Sequence, residues 1–185
     1  MCGHPQACHD YMKVYLVGFM ATGKTTVGQA AADRLGWRFV DLDDRVEAAL
    51  GMTVGSIFAE LGEPAFRGAE SKQLEAVAGE AGHAVVATGG GVVISDRNMA
   101  VMRGSGVVVR LAASVDSVLD RAGEGPARPL LQGGDRRERV VELMREREWR
   151  YALADVAVDT EAGIEDAVAA VVEVATTAAA GRWTR

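Results

Sequence analysis

The sequence predicts an α/β fold, a parallel sheet with helices on both faces. Three observations point there. Short apolar runs alternate with stretches of helical periodicity along the whole chain, the pattern of strand–helix–strand units. Several of those runs, at 14–17, 84–87 and 107–109, are nearly unbroken in apolar character, as strands covered on both sides must be. At 185 residues the chain has the length of one domain, and with 49% apolar and 25% charged residues it has the balance of a core-forming protein.

Taken in order, strands are expected at 14–17, 38–40, 84–87 and 107–111, with a weaker fifth at 156–158. Helical periodicity covers 25–35, 45–50, 54–61, 65–77, 97–102, 115–122, 136–153 and 164–178. Ser114 is placed to cap the sixth helix, and Gly36, Gly51, Gly62 and Gly104 stand where glycines end helices. The last helix carries Ile164, Val168, Val171 and Ala175 on one face, broken by Glu165, Asp166 and Glu173, so it reads as amphipathic rather than membrane-spanning. The run 135–150 is dense in both charges and reads as a solvated helix face with local pairs such as Arg139–Glu142.

Two regions interrupt the alternation. Residues 43–79 hold helices and no strand, which predicts a small helical lobe beside the sheet. Residues 123–134 are rich in glycine and proline, lack periodicity and carry a lone basic residue, Arg128, which suits a functional lid, with plain disorder as the competing reading. Residues 1–11 contain Cys2, His4, Cys8 and His9 without metal-ligand spacing and read as a disordered tail, leaving residues 12–180 as the single folded domain. No signal-like segment is visible and the only two cysteines lie in that tail, so a reducing cytoplasm is the expected location. Twenty basic against twenty-six acidic residues, a net charge of −6, argue against nucleic-acid or membrane-surface binding. They leave room for a small anionic substrate held by a few arginines.

The strongest chemical signal is Gly18-Phe-Met-Ala-Thr-Gly23-Lys24-Thr25, a G-x-x-x-x-G-K-[ST] pattern between a strand and a helix. Glycines at 18 and 23 let the backbone approach phosphate oxygens. The loop amides, with Ala21, Thr22 and Thr26 around them, form an anion nest at the positive end of the following helix. Lys24, one of only three lysines, reaches the terminal phosphates, and the Thr25 hydroxyl can ligate Mg²⁺. Nucleoside triphosphate binding follows, but not yet a reaction. The guanine-reading N-K-x-D motif is missing after the fourth strand, and the length suits a kinase for a small acceptor.

Asp41 and Asp43 end the second strand, and i, i+2 alternation would turn both carboxylates to the same side. One could hold Mg²⁺ through water while the other takes an acceptor hydroxyl. The competing reading is a pair of solvated loop acids, or a helix cap at Asp43. Arg67, in Glu-Pro-Ala-Phe-Arg-Gly, is a natural bidentate partner for a carboxylate, although an arginine on an amphipathic helix is more often plain surface. Gly89, Gly90 and Gly91 follow the third strand, where ligands bind in open parallel sheets.

The ordered series GFMATGKTTVG, FVDLDDRVE, GMTVGSIFAELGEPAFRGAE, VVATGGGVV and RPLL resembles the shikimate kinase family. The resemblance runs from about residue 13 to residue 160. It implies a P-loop kinase fold with a five-stranded parallel sheet, an acceptor-binding helical lobe and a mobile lid. It also implies phosphorylation of shikimate by ATP to shikimate 3-phosphate and ADP, on the route to chorismate and the aromatic amino acids. By motif it implies that Asp43 contacts the shikimate hydroxyls and accepts a proton, that Asp41 joins Thr25 around Mg²⁺, and that Arg67 clamps the carboxylate. Gly89 to Gly91 would line the acceptor pocket, Arg128 would close over the phosphates, and Arg121 would lie beside the adenine. The chain departs from the family pattern in its last long helix, where Tyr151 occupies the position expected of a second carboxylate-binding arginine; either Arg150 or Arg147 substitutes by a shift of register, or the acceptor site is weaker or altered. The segment 159–163 lacks the proline often found beside the adenine. Rival readings are a kinase for a gluconate-like acid or a nucleoside monophosphate, and a module that binds ATP without transferring phosphate. A monomer is expected.

Overall fold

The computed structural model describes residues 12–122 and 135–183. Five strands, β1 (Lys13–Val17), β2 (Arg38–Asp41), β3 (Ala84–Ala87), β4 (Gly106–Ala112) and β5 (Val156–Asp159), form one sheet of order β2-β3-β1-β4-β5, and every pairing is parallel. The helices α1 (Lys24–Leu35), α2 (Leu42–Leu50), α3 (Val54–Glu60), α4 (Gly62–Gly79), α5 (Asp96–Ser105), α6 (Val115–Ala122), α7 (Arg136–Tyr151) and α8 (Ile164–Ala179) fill the intervals, with a short 3-10 turn at Val92–Ile94.

Strand alternation divides the core in two. Tyr15, Val17, Val86 and Val108 turn to the face covered by α4, α5 and α7, where they meet Leu74, Met102 and Leu143. Val14, Leu16, Val85, Val107 and Val109 turn to the other face, against Val27 and Ala31 of α1 and Val168, Val171 and Ala175 of α8. All five residues of β1 are buried because the strand lies at the centre of the sheet, which explains why its sequence shows no polar alternation. A third, separate cluster of Val46, Ile57 and Phe66 holds α2, α3 and α4 together as a helical lobe. No helix among the described residues is long and apolar enough to cross a membrane.

Caps fall largely where the sequence puts them. Gly36 and Gly51 take left-handed conformations at the ends of α1 and α2, Gly62 does so after α3, and the Ser114 hydroxyl accepts the Ser117 amide 3.2 Å away. The Arg139–Glu142 pair forms at 2.6 Å. Gly104 does not end its helix: α5 runs on to Ser105, whose hydroxyl bonds back to the Val101 carbonyl and to Tyr15, so the last turn is held by side-chain contacts instead. The anticipated strand character of Asp41 and Asp43 also stops short. The chain turns at Asp41, whose carboxylate caps α2, and Asp43 lies in the first helical turn.

The centre of the sheet is anchored at the edge opposite the strand carboxyl ends by a buried lysine. Lys13, 1% exposed, donates from Nζ to the carbonyl of Glu80 at 2.8 Å and to that of Gly82, satisfying the chain end that leads into β3.

Candidate active site

Beyond the carboxyl ends of the strands lies a cavity of about 730 Å³, within the ordinary range for small-ligand sites. It is bounded by three sets of residues: the loop between β1 and α1, a mixed-charge group around the triple glycine, and a far end formed by Arg121, Thr160, Glu161, Gly163 and Ile164.

The loop is shaped for anions. Gly18 has φ +145°, and a side chain there would collide with the Leu111 carbonyl. Ala21 has φ +61°, the left-handed region that only this non-glycine residue occupies among those described, a strain typical of functional loops. The Thr22 hydroxyl ties the loop to the Phe19 carbonyl at 2.8 Å, and Lys24 Nζ folds back to the carbonyls of Gly18 and Phe19 at 3.0 and 2.8 Å. Gly23 leads into α1 with no side-chain cap, so the first amides of the helix, from Lys24, Thr25 and Thr26, point out of its positive end at the cavity.

Asp41 connects this loop to the neighbouring group. Its Oδ2 accepts the Thr25 hydroxyl at 2.8 Å, and its Oδ1 accepts the Asp43 amide at 3.0 Å. Asp43 in turn presents Oδ1 as a buried oxygen without a hydrogen-bond partner. Burial, followed by the charge of Asp41, raises the Asp43 pKa above the ordinary carboxylate range, with Lys24 and Arg67 acting the other way.

Arg67, on α4, is held on three sides. Nε and Nη2 donate to Glu63 Oε1 at 3.2 and 3.1 Å, Nη1 donates to Glu70 Oε2 at 2.8 Å, and the guanidinium sits 5.1 Å from the Phe66 ring centre. A side chain on Gly91 would collide with that guanidinium and push it from its place between Glu63 and Glu70. A side chain on Gly89 would collide with Glu70 Oε1 and come within 3.1 Å of Asp43 Oδ1. Gly90 accepts the Tyr151 hydroxyl at 2.5 Å through its carbonyl. Burial lifts the Tyr151 pKa to about 12, so the phenol is a neutral donor.

The structure thus gathers Lys24, Thr25, Asp41, Asp43, Arg67, Gly89, Gly90 and Gly91 around one cavity, with Arg121 at its far end. It does not bring Arg150 there. That side chain pairs with the surface carboxylate of Asp96 and stacks 4.0 Å over Trp149. One turn earlier on α7, Arg147 faces inward, is 7% exposed, carries its charge close to the Tyr151 phenol and lines the cavity. The helical phase of α7, in which Val140, Leu143, Arg147 and Tyr151 are its buried residues, decides between the two arginines. Arg128 and the segment 123–134 lie outside the described residues, as do residues 1–11.

Glu70 is the site residue that sequence reasoning missed. Its side chain is fully buried, with Oε1 unpartnered beside Gly89. Burial raises its pKa while the Arg67 charge and hydrogen bond oppose the rise. The available signal was its i, i+3 spacing from Arg67 on one helix.

Three or more His, Cys, Asp or Glu side chains able to hold a metal ion do not cluster among the described residues. The Thr25 hydroxyl and Asp41 carboxylate nevertheless fit Mg²⁺, which typically takes one or two protein oxygens and completes its shell with phosphate and water.

A phosphate-cradling loop on a parallel sheet, facing across one cavity a lobe that presents carboxylates and an arginine, defines a P-loop kinase with a small-molecule acceptor site. A shikimate kinase family model matches residues 20–176. The shikimate kinase of Gloeobacter violaceus is 48% identical over 159 residues, covering 85% of this chain and 88% of its own. That of Geobacter metallireducens is 45% identical, covering 84% and 87%. Among solved structures, the shikimate kinase from Acinetobacter baumannii in complex with shikimate superimposes with a TM-score of 0.84 at 30% identity, covering 95% of this chain and 97% of that one. The chain belongs to the shikimate kinase family.

Proposed function

We propose that this chain transfers the γ-phosphoryl group of ATP to the 3-hydroxyl of shikimate, giving shikimate 3-phosphate and ADP. The observation that carries the reading is the single cavity in which the phosphate loop and the Asp43–Arg67 pair face each other. Transfer needs the donor phosphorus and the acceptor oxygen in line in one water-poor space, where positioning and electrostatics supply most of the acceleration.

The loop amides and Lys24 hold the β- and γ-phosphates. Thr25 and Asp41 would hold Mg²⁺, which neutralises phosphate charge when bound. Arg67 and Arg147 take the ring carboxylate, and Glu63 and Glu70 keep the Arg67 fork in one plane. Asp43 accepts the hydrogen bond of the attacking hydroxyl. As the new C–O–P linkage forms, the bond from γ-phosphorus to the bridging oxygen breaks, its electron pair leaves with ADP, and the hydroxyl proton passes to Asp43. The raised pKa of Asp43 makes its carboxylate a better proton acceptor than an exposed aspartate. We further propose a monomer working in a reducing cytoplasm, in keeping with a chain whose only cysteines are Cys2 and Cys8.

The test is ADP release with ATP and Mg²⁺ in the presence of shikimate, gluconate, quinate or a nucleoside monophosphate in turn. Release that depends on shikimate and not on the others is expected. Release driven equally by gluconate or a nucleotide would assign another acceptor, and release independent of every acceptor would remove the kinase reading.

A further inference from the structure

We propose that Thr160 is a positioning residue for the nucleotide base, locking the Arg121 guanidinium as a flat cationic platform at the far end of the cavity. The inference rests on the reading above, in which ATP lies on the phosphate loop; Arg121 lines the far end of the same cavity, toward which the rest of the nucleotide would extend.

Arg121 sits in the last turn of α6, and its guanidinium is held by one residue through two bonds. Nη1 donates to Thr160 Oγ1 at 3.0 Å, and Nη2 donates to the Thr160 carbonyl at 3.1 Å. Thr160 is itself fixed: it is 4% exposed, and both its amide and its hydroxyl donate to the Ala112 carbonyl at 2.9 Å. Because the hydroxyl proton is committed to Ala112, Oγ1 is left as an acceptor, the polarity that a guanidinium requires. The next residue pins the other end of the same helix. The Glu161 carboxylate accepts the Ser114 amide at 2.7 Å and the Ser117 hydroxyl at 2.8 Å. The loop after β5 therefore holds α6 at both termini.

A guanidinium bonded in its own plane keeps its faces for stacking, and a planar, weakly hydrated cation stacks well on a heterocycle. An unrestrained surface arginine would lose rotamer freedom on ordering. Here Thr160 has already imposed the order. Ile164, a large apolar side chain left 53% exposed on the same cavity end, supplies an apolar wall nearby.

The experiment compares Thr160→Val, which keeps the shape and removes the hydroxyl, with Thr160→Ser, Arg121→Met and the double variant in steady-state assays. Thr160→Val is expected to raise the ATP KM about three- to tenfold, the scale of one hydrogen bond, with kcat and the shikimate KM within twofold. Thr160→Ser should restore the wild-type value, and the double variant should be no worse than Arg121→Met alone. If Thr160→Val folds poorly by thermal melt, Thr160→Ala carries the same expectation. A raised ATP KM in Arg121→Met beside a normal one in the Thr160 variants would overturn the positioning role. An unchanged ATP KM in Arg121→Met would overturn the placement of the base, and the proposal with it.

Discussion

Replacing Arg147 by methionine isolates the contribution of the inward arginine of α7, and Arg150→Met is its matched control. Arg147 is 7% exposed and lines the cavity, whereas the Arg150 guanidinium is engaged at the surface by Asp96, whose side chain is 87% exposed. Methionine keeps most of the buried stem and removes the charge. A hydrogen bond to a charged partner in a sheltered site contributes ~1.5–3 kcal/mol, which converts to roughly a 10- to 150-fold rise in the shikimate KM. The exposed Arg150–Asp96 pair is worth only ~0.2–1 kcal/mol of stability, so Arg150→Met should leave both KM values unchanged. The assay is coupled ADP release with shikimate titrated at saturating ATP, then ATP titrated at saturating shikimate, with a thermal melt of each variant. A shikimate KM that rises as much in Arg150→Met as in Arg147→Met would refute the assignment. So would an Arg147→Met variant that weakens both substrates equally.

Asp43→Asn should lower kcat by about 10²-fold or more, while fluorescence titration shows ATP still bound; near-normal turnover would exclude Asp43 as proton acceptor. The wild-type rate should fall on the acid side as protonation silences Asp43. Because its pKa is raised, that limb should lie above the ordinary aspartate value of about 3.9, and a pH profile with a limb at or below it would contradict the burial argument. Gly89→Ala should reduce kcat/KM for shikimate by at least roughly tenfold, the scale of ~1.4 kcal/mol, since its Cβ would meet the buried Glu70 oxygen. Nucleotide affinity should hold, and calorimetric titration with each substrate checks both parts. Lys13→Met leaves two carbonyls unpaired, at a cost of ~1–3 kcal/mol. With ~2–4 °C per kcal/mol at this size, calorimetry should show Tm lowered by several degrees and kinetics unchanged.

Much of this was legible in the sequence, because the strands that matter are short, apolar and bounded by glycine, and the phosphate loop carries its chemistry in consecutive residues. The acceptor side was less legible. Arg147 and Arg150 are three apart on a helix full of arginines, and only the packing phase set by Leu143 and Tyr151 separates them. Glu70 reads as one more acid on a charged helix, since burial of a carboxylate depends on Arg67 and Gly89 arriving from other parts of the chain. Strand alternation is not what brings Asp43 to the cavity: a helical turn capped by Asp41 does, and a turn of that kind is hard to tell from a strand end in the sequence.

The two oxygens of Asp41 answer to different masters, one to Thr25 on the donor side and one to the amide of Asp43 on the acceptor side. Damage at this position cannot be confined to one substrate, so variation there should be visible as a joint failure. Changes in α3, whose Ile57 packs with Val46 and Phe66 in a cluster apart from those of the sheet, should by contrast be felt on the acceptor side alone.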